Sequence, residues 1–301
     1  MISNRYARDW NTYSQEWEQR HSSTYDYLGD EWNSGGGLWD RDDFYFSMYA
    51  ERWLRSDQTV LEIGPGGGKW TVRLAPKVKR VIVLDVAEEM LDRTRQRCEK
   101  LGQTNIEYVL GNGQDFQPVA DESINFFFSY DVFVHIAPED TWPYTQEMAR
   151  VLVSDGVGIC HYASNATPQA WDRIEQHNDW YRFGAHTLGQ YYYYSPLALQ
   201  RMYEHCGLRM LEQHLEAYNC TCVFSKPSIS MAPQLESLLK RLISQQADDA
   251  EVRAAIVTAL RSLPGELEQR LDKVLAEAGG EEEYYKRIYY AALIRQIWRG
   301  V

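Results

Sequence analysis

The sequence predicts an α/β fold: a doubly wound, mostly parallel sheet of seven strands, with an N-terminal helical lid and a C-terminal helical extension. Three observations predict it. Short apolar runs alternate with helix-length amphipathic segments between residues 59 and 226. The runs are apolar throughout, as expected of strands that are buried on both faces. A glycine-rich turn follows the first run directly, at the edge where such sheets bind ligands.

The apolar runs give the predicted strands in chain order. The first run, Thr59 to Ile63, leads straight into the glycines, and the last two runs are close enough to pair as a hairpin. The predicted strands span residues 59–63, 80–85, 105–110, 124–129, 156–161, 208–214 and 220–226.

Amphipathic helices fill the gaps between these strands. One predicted helix runs from Glu88 to Gly102, begins with acidic residues near the positive end of its dipole, and ends at a glycine. Its apolar stripe is Leu91, Thr94, Cys98 and Leu101. A second predicted helix runs from Pro138 to Leu152. Strands that alternate with helices of this length predict parallel pairing.

Three regions are predicted: a helical lid or cap at residues 1–50, a ligand-binding domain at 51–230 with an aromatic insertion at 163–200, and a helical extension at 231–301. The glycine-rich linker Ser34-Gly35-Gly36-Gly37 beside aromatic residues suits a lid that closes over a ligand, and a permanently packed cap is the alternative. The C-terminal helices suit a packed bundle, a homodimer surface, or a docking site for a carrier or peptide.

Composition argues against several partners. The formal net charge is −12, whereas nucleic-acid and anionic-membrane binding need clustered Lys and Arg. No apolar run reaches the roughly 20 residues that span a bilayer, and the N-terminus lacks the apolar core of a signal peptide. A cytoplasmic protein is therefore expected. Five scattered cysteines do not form a disulfide framework, and ordinary reduced core thiols are expected.

The glycine-rich turn indicates a nucleoside site. Gly64, Gly66 and Gly68 lack a Cβ, so the backbone there can turn sharply and lie against a ligand, and the helix after them offers unpaired N–H groups. Asp85 ends the second predicted strand 21 positions after Gly64, where a carboxylate accepts hydrogen bonds from two ribose hydroxyls. Lys69 stands where a dinucleotide motif has its third glycine, and Glu62 is a poor neighbour for a pyrophosphate.

This set, E-x-G-x-G-x-G followed by an aspartate at the end of strand two, resembles the class I S-adenosylmethionine-dependent methyltransferases. The resemblance extends over about residues 59–226. Residues 110–116 are similar to the family's G-D-A-x-x-L segment, and residues 147–152 resemble its E-x-x-R-V-L helix ending. Ser129-Tyr130-Asp131, followed by His135, matches the segment after strand four. Ala87, in place of a capping serine, and the turn at 154–156 depart from the pattern.

The resemblance implies a Rossmann-like methyltransferase fold, S-adenosylmethionine as cofactor and S-adenosylhomocysteine as product. It places Asn112 and Gly113 at the adenine, and Ser129 and Tyr130 beside the sulfonium. The full set of cofactor-binding residues that it implies is Glu62, Gly64, Gly66, Gly68, Asp85, Val86, Asn112, Gly113, Ser129 and Tyr130.

The acceptor pocket is expected where the aromatic segments meet the cofactor. Its predicted lining residues are Trp32, Asp131, Tyr191 and Tyr193, which favour a hydrophobic or ring-shaped acceptor. His135, His161 and His186 are candidate bases, although an amine acceptor needs only to be neutral. No metal site is predicted, because Asp131 and Asp140 have no third ligand at a recognisable spacing.

The leading hypothesis is a methyltransferase that acts on an O or N nucleophile of a small molecule, such as a sugar or an aromatic biosynthetic intermediate. A variant methylates a peptide or carrier-bound substrate that docks on the C-terminal helices. Two other classes stay open. One is a nicotinamide-dependent oxidoreductase, which Lys69 and Glu62 disfavour. The other is a protein that binds a nucleoside without turnover.

Overall fold

The structure is a computed structural model that describes residues 5–32, 41–183 and 189–227. Residues 5, 32, 41 and 178–183 are described by their backbone alone. The predicted C-terminal helices at 231–301 and the candidate base His186 lie outside the described residues. The predicted division into a lid, a central domain and an extension therefore stays a prediction.

Strands and helices alternate through the described chain. The strands are β1 (Thr59–Ile63), β2 (Arg80–Asp85), β3 (Ile106–Leu110), β4 (Ile124–Ser129), β5 (Leu152–Ser164), β6 (Tyr193–Tyr194), β7 (Arg209–Glu216) and β8 (Asn219–Ser225). The helices are α1 (Arg5–His21), α2 (Arg41–Tyr45), α3 (Thr71–Leu74), α4 (Glu88–Lys100), α5 (Pro138–Val151), α6 (Pro168–Phe183) and α7 (Pro196–His205). Helix α2 continues into a π-turn at Phe46–Ala50 and a 3₁₀ turn at Glu51–Trp53.

The strands form one sheet in the order β3-β2-β1-β4-β5-β8-β7, and β6 pairs with β5 off this path. Strands β1 to β5 pair in parallel with one another, whereas β8 is antiparallel to β5 and to β7. The chain moves outward from β1 through β2 to β3 and then returns to β4 on the other side of β1. The carboxyl ends of β1 and β4 therefore meet at the switch point, where sheets of this kind bind ligands.

Two apolar layers cover the sheet, one on each face. Phe127 faces the layer built by α5 and α7, while its neighbours Phe126 and Phe128 face the layer built by α3, α4 and residues 46–50. This alternation follows from the two-residue repeat of side chains along a strand. Phe46 and Tyr49 are buried in the second layer, so the segment after α2 is part of the core of the sheet.

The α/β fold class and the mostly parallel central sheet are confirmed, with three differences in detail. A two-residue strand, β6, adds an eighth member to the sheet. Strand β5 begins at Leu152, because a register shift opposite Ile124 and Phe126 absorbs the residues that resemble a turn in the sequence. Helix α4 ends at Lys100, which leaves Leu101 56% exposed rather than on the apolar stripe.

The N-terminal helix α1 packs against α4, which itself lies against β2 and β3. Trp17 and Leu28 form a separate buried cluster with Ala87 and Met90. Arg93 of α4 ties this cluster further, since its Nη2 donates to the backbone oxygen of Ser14 at 2.9 Å. These contacts fit both the lid and the permanently packed cap, and the choice between them stays open.

All five cysteines lie among the described residues and carry free thiols, as expected. Cys220 and Cys222 share one face of β8, with their sulfur atoms 3.8 Å apart. In the described part of the chain, none of the helices has the length and apolar character needed to cross a bilayer.

Candidate active site

The glycine turn lies at the carboxyl end of β1, between that strand and α3. Gly64, Gly66 and Gly68 have φ angles of +70°, +59° and +78°, a region that side chains other than glycine rarely adopt. Gly64 also lies against Val132, which fills the space that a Cβ would need. The helix after the turn, α3, is four residues long.

Glu62 lies beneath the glycine turn and is 1% exposed. One carboxylate oxygen, Oε2, accepts a hydrogen bond of 2.7 Å from the hydroxyl of Thr71. The other oxygen, Oε1, is buried and has no hydrogen-bond partner among the described residues. Burial raises the pKa of Glu62 to about 8, although the hydrogen bond from Thr71 opposes the shift. A buried acceptor of this kind fits a ligand that brings a donor or a positive charge.

Asp85 ends β2, one strand away from the glycine turn. Its Oδ1 accepts a 2.9 Å hydrogen bond from the backbone N–H of Ala87, at the start of α4. Burial raises the pKa of Asp85 to about 7, against hydrogen bonds from Ala87, Val86 and Gly66. Asp85 therefore stabilises the turn between β2 and α4, while its position at the switch point also suits a ribose. Its role and that of Val86 toward a cofactor stay predictions.

The segment that resembles the adenine site lies in an exposed loop after β3. Asn112 Oδ1 accepts hydrogen bonds from the backbone N–H groups of Gln114 (2.8 Å) and Asp115 (3.1 Å). Its Nδ2 donates to the Asp115 carboxylate at 2.9 Å. The side chain thus stabilises its own loop, and Gly113 supplies a turn with a φ of +74°. A contact between this loop and adenine stays a prediction.

At the carboxyl end of β4, Ser129 and Tyr130 face different environments. The Ser129 hydroxyl donates to the backbone oxygen of Ile63 at 3.0 Å, which ties the ends of β4 and β1 together. The ring of Tyr130 stacks on the imidazole of His161, with ring centres 4.2 Å apart and planes 4° from parallel. The ring centre of Trp70 lies 4.9 Å from that of Tyr130, with the two ring planes tilted by 55°.

His161 and Asp131, which the sequence assigned to two different roles, form one pair. His161 Nδ1 lies 2.9 Å from Asp131 Oδ1. The imidazole is 2% exposed, whereas the side chain of Asp131 is 51% exposed. Although desolvation opposes ionisation, His161 and, more weakly, Lys69 hold the pKa of Asp131 below its ordinary value. Asp131 also adopts a φ of +60°, an unusual conformation that orients its carboxylate.

His135 lies in a different environment, beneath α1. Its Nδ1 is 2.9 Å from the backbone oxygen of Gln190, and its ring contacts Trp10 and Tyr191 edge-on, with ring centres 5.1 and 5.0 Å away. Burial lowers the pKa of His135, so the imidazole is neutral at neutral pH. Of the three candidate bases, only His161 is described with a carboxylate partner.

The predicted pocket residues of the insertion lie near His135. Tyr191 and Tyr193 are partly buried, with ring centres 6.3 Å apart. The guanidinium of Arg173 lies between the rings of Tyr191 and Tyr218, at 4.5 and 4.3 Å from their centres. The side chain of Trp32 lies outside the described part of the structure. The assignment of these three residues to an acceptor pocket stays a prediction.

Sequence reasoning predicted a lid or cap at residues 1–50 but not the contacts that this segment makes at the glycine turn. The loop at Leu28 and Gly29 covers the glycine turn, and Lys69 Nζ donates to the backbone oxygen of Gly29 at 3.3 Å. Lys69 also pairs with the buried Asp42 at 3.0 Å. Asp140, which the sequence considered for a metal, instead accepts a 2.7 Å hydrogen bond from the Tyr6 hydroxyl. No group of three His, Cys, Asp or Glu side chains suited to a metal occurs among the described residues.

Comparison with known proteins identifies the class. Residues 60–156 match a family described as a methyltransferase domain. Together with the sheet order and the glycine turn, this match confirms the resemblance to class I S-adenosylmethionine-dependent methyltransferases, and the chain carries a domain of that class. S-adenosylmethionine is the cofactor of the class and S-adenosylhomocysteine its product.

Individual relatives match shorter parts of the chain. Protein-L-isoaspartate O-methyltransferase 1 of Polaromonas sp. is 43% identical over 60 residues, covering 20% of this chain and 25% of the relative. Arsenite methyltransferase of Halobacterium salinarum is 36% identical over 109 residues, covering 33% and 27%. The chain thus spans about a quarter of the length of these curated relatives. A solved protein of Pyrococcus horikoshii OT3 shares the fold, with a TM-score of 0.54 and 14% identity over 70% of this chain and 98% of that one.

Proposed function

We propose that this chain transfers the methyl group of S-adenosylmethionine to an oxygen or nitrogen nucleophile of a small-molecule acceptor. The observation that carries the proposal is Glu62 Oε1, a buried acceptor without a described partner beneath a glycine turn. An ammonium group at the amino-acid end of the cofactor supplies the missing donor, directly or through water. A pyrophosphate does not, because its oxygens are acceptors and bring no donor to Oε1.

The residues that would hold the cofactor have distinct tasks. Glu62 receives the amino-acid end, the glycine turn allows close backbone approach, and Asp85 receives the ribose. When bound, the cofactor supplies a methyl group that its sulfonium has already activated. The protein therefore contributes mainly by holding the acceptor in line with that methyl, within about 3–3.5 Å.

The Asp131–His161 pair supplies a base. A carboxylate that accepts the Nδ1–H of an imidazole fixes the tautomer and leaves Nε2 as the basic nitrogen. The 2.9 Å separation of Nδ1 and Oδ1 and the near-complete burial of the ring fit this role. Stacking on Tyr130 limits rotation of the imidazole, since the two ring planes are only 4° apart. The proton of the acceptor passes to this nitrogen as the new bond forms.

Calorimetry tests the cofactor assignment without knowledge of the acceptor. We expect heat with S-adenosylmethionine and S-adenosylhomocysteine and none with NAD⁺, and an affinity at least about tenfold lower for Glu62→Gln and Asp85→Asn, because each loses a charge-assisted contact. Binding of NAD⁺ alone would reject the proposal in favour of the oxidoreductase.

Turnover needs a separate measurement. Transfer of a labelled methyl group, assayed against small amines, alcohols and phenols and against peptides, distinguishes the small-molecule acceptor from the peptide or carrier variant. Cofactor binding without transfer to any of them would support the nucleoside-binding alternative.

A further inference from the structure

A row of aromatic rings lies along the second face of the sheet, from the π-turn to β4. The rings of Tyr49 and Tyr45 are stacked, with centres 5.8 Å apart, and Tyr45 lies 5.9 Å from Tyr130. Trp70 flanks Tyr130 at 4.9 Å. Because the faces of aromatic rings carry a negative quadrupole, such a row attracts a cation placed against it.

Carboxylates stand at both ends of this row. Glu216, the last residue of β7, accepts a hydrogen bond from the hydroxyl of Tyr49. Asp131 follows Tyr130 directly and is half-exposed. Burial raises the pKa of Tyr130, and the charge of Asp131 and, more weakly, that of Glu216 add to this shift. Burial and Glu216 likewise raise the pKa of Tyr49, so both phenols stay un-ionised at neutral pH.

The positive groups around the row are mostly paired with other acids. Lys69 is 3.0 Å from Asp42, and Arg52 pairs with Glu212. His214, whose ring lies 5.0 Å from that of Tyr49, is 2.8 Å from the same Glu212. At the ends of the row, Asp131 has the imidazole of His161 beside it, and the hydrogen bond described for Glu216 comes from the hydroxyl of Tyr49. This environment favours a ligand that brings its own positive charge.

We propose that the acceptor is an amine that enters as its ammonium ion, held against Tyr45 and Tyr130 between Asp131 and Glu216. This inference rests on the proposed methyl transfer and narrows it to nitrogen. The ammonium gives one proton to Nε2 of His161, whose cationic form Asp131 stabilises. The freed nitrogen lone pair then forms the bond to the methyl carbon, and the electrons of the breaking carbon–sulfur bond remain on sulfur. The product is again an ammonium, now methylated, beside a neutral thioether.

Binding of a matched probe pair tests the charge preference. The probes are 2-phenylethylamine and 2-phenylethanol, which have nearly the same shape but differ in charge at neutral pH. Each is titrated by calorimetry into the full chain saturated with S-adenosylhomocysteine. We expect the amine to bind and the alcohol to bind at least about tenfold more weakly. The hydroxyl of the alcohol carries no charge, so it cannot make the charge-assisted contacts that the ammonium makes with the two carboxylates.

Three variants locate the contact. Tyr45→Leu removes the ring face and is expected to weaken amine binding by about 2- to 30-fold, whereas Tyr45→Phe keeps the face and the affinity. Glu216→Gln keeps an acceptor for Tyr49 and removes only the charge, so it should weaken the amine and leave the alcohol unchanged. Unaltered heat with S-adenosylhomocysteine shows that each variant is folded.

Equal binding of both probes, or of neither, overturns the amine proposal. So does the result that Tyr45→Leu lowers affinity for S-adenosylmethionine but not for S-adenosylhomocysteine while the amine stays unbound, because the aromatic row would then serve the sulfonium alone. Absence of heat with S-adenosylhomocysteine overturns the proposed function instead, and the same probe pair titrated into the free protein still decides the charge preference.

Discussion

The carbonyl oxygen of Leu28 lies against Gly67, in the space that a Cβ at residue 67 would occupy. Gly67 does not have a positive φ, so a glycine is needed here for space rather than for backbone conformation. The contact places the N-terminal segment directly on the glycine turn. Arg97 reinforces it, because its Nη1 reaches both Asp30 at 3.1 Å and the backbone oxygen of Gly67 at 3.4 Å.

We therefore expect Gly67→Ala to displace the loop at Leu28 and to lower the free energy of unfolding by about 1–3 kcal/mol, as overpacking does. Cofactor affinity should fall with it, since the cover of the glycine turn moves. Thermal unfolding and calorimetry with S-adenosylhomocysteine measure the two effects.

Gly102→Ala is the matched control for this substitution. Gly102 has a φ of +70° but nothing within 4 Å of a Cβ, so the change adds backbone strain of about 1–2 kcal/mol without a clash. Its cofactor affinity should equal that of the unaltered protein. If both variants bind equally well, the N-terminal cover has no part in holding the cofactor.

The buried carboxyl of Glu62 predicts proton release on cofactor binding. Since burial raises the pKa of Glu62 to about 8, the group is largely protonated at neutral pH before binding. An ammonium beside it favours the ionised form, so a proton leaves as the ligand enters. Calorimetry at pH of about 7 in two buffers with different ionisation enthalpies should show this release, and Glu62→Gln should abolish most of it.

The raised pKa of Glu62 also determines the direction in which the stability of the protein changes with pH. The pKa of Glu62 is higher in the folded than in the unfolded chain, so its contribution is fully present below the ordinary value of about 4.3. That contribution is lost as the pH rises through about 8. The ligand-free protein should lose stability between these limits, and Glu62→Gln should lose less. Equal pH dependence of thermal unfolding in both proteins would contradict this assignment.

The Asp131–His161 pair predicts a selective loss of turnover. Asp131→Asn keeps a residue that tolerates a positive φ and removes the charge that orients the imidazole. We expect kcat to fall by about 10²- to 10⁴-fold for His161→Gln and for Asp131→Asn, the range that a positioned base contributes. Affinity for S-adenosylhomocysteine should be unchanged.

His205→Gln provides the comparison. His205, in α7, is exposed, and its ring contacts that of Trp142 in α5. Its kcat should match that of the unaltered protein. Retention of most activity by His161→Gln would mean that positioning alone drives the transfer, as a neutral amine permits.

The sheet was predictable because its signals are local. The apolar runs of β1 to β4 carry their own boundaries in the glycines and charged residues that flank them. The start of β5 was not predictable from the sequence, because Ser154-Asp155-Gly156 resembles a turn. In the fold, Asp155 takes a φ of +61° within the strand, and a register shift against β4 accommodates it.

The residues of the candidate site likewise fall into those that a local motif reveals and those that only long-range contacts bring together. The glycine turn, Glu62 and Asp85 are adjacent in sequence to the strands that position them, so a motif reveals them. The contact between Tyr49 and Glu216 joins residues 167 positions apart, and no local pattern announces it. The four-residue spacing of Tyr45 and Tyr49 was the available signal, because it places both rings on one side of a helical turn.

A buried ion pair gives the last prediction. Lys69 and Asp42 are 3.0 Å apart, and their side chains are only 10% and 3% exposed. Lys69 follows the glycine turn, whereas Asp42 belongs to α2, so the pair ties the N-terminal segment to the site. Asp42→Asn leaves the ammonium of Lys69 buried without its counter-charge and should lower the free energy of unfolding by about 3–5 kcal/mol.

The pair Arg80–Glu107 serves as the control, because both side chains are nearly half-exposed. Glu107→Gln should cost no more than about 1 kcal/mol, since solvent screens an exposed pair. Replacing both buried partners, in Lys69→Met with Asp42→Leu, should recover most of the loss, because it removes the uncompensated charge. Denaturant unfolding of the four proteins separates these outcomes. Equal losses for Asp42→Asn and Glu107→Gln would show that water reaches Lys69, and that the N-terminal segment does not seal the site.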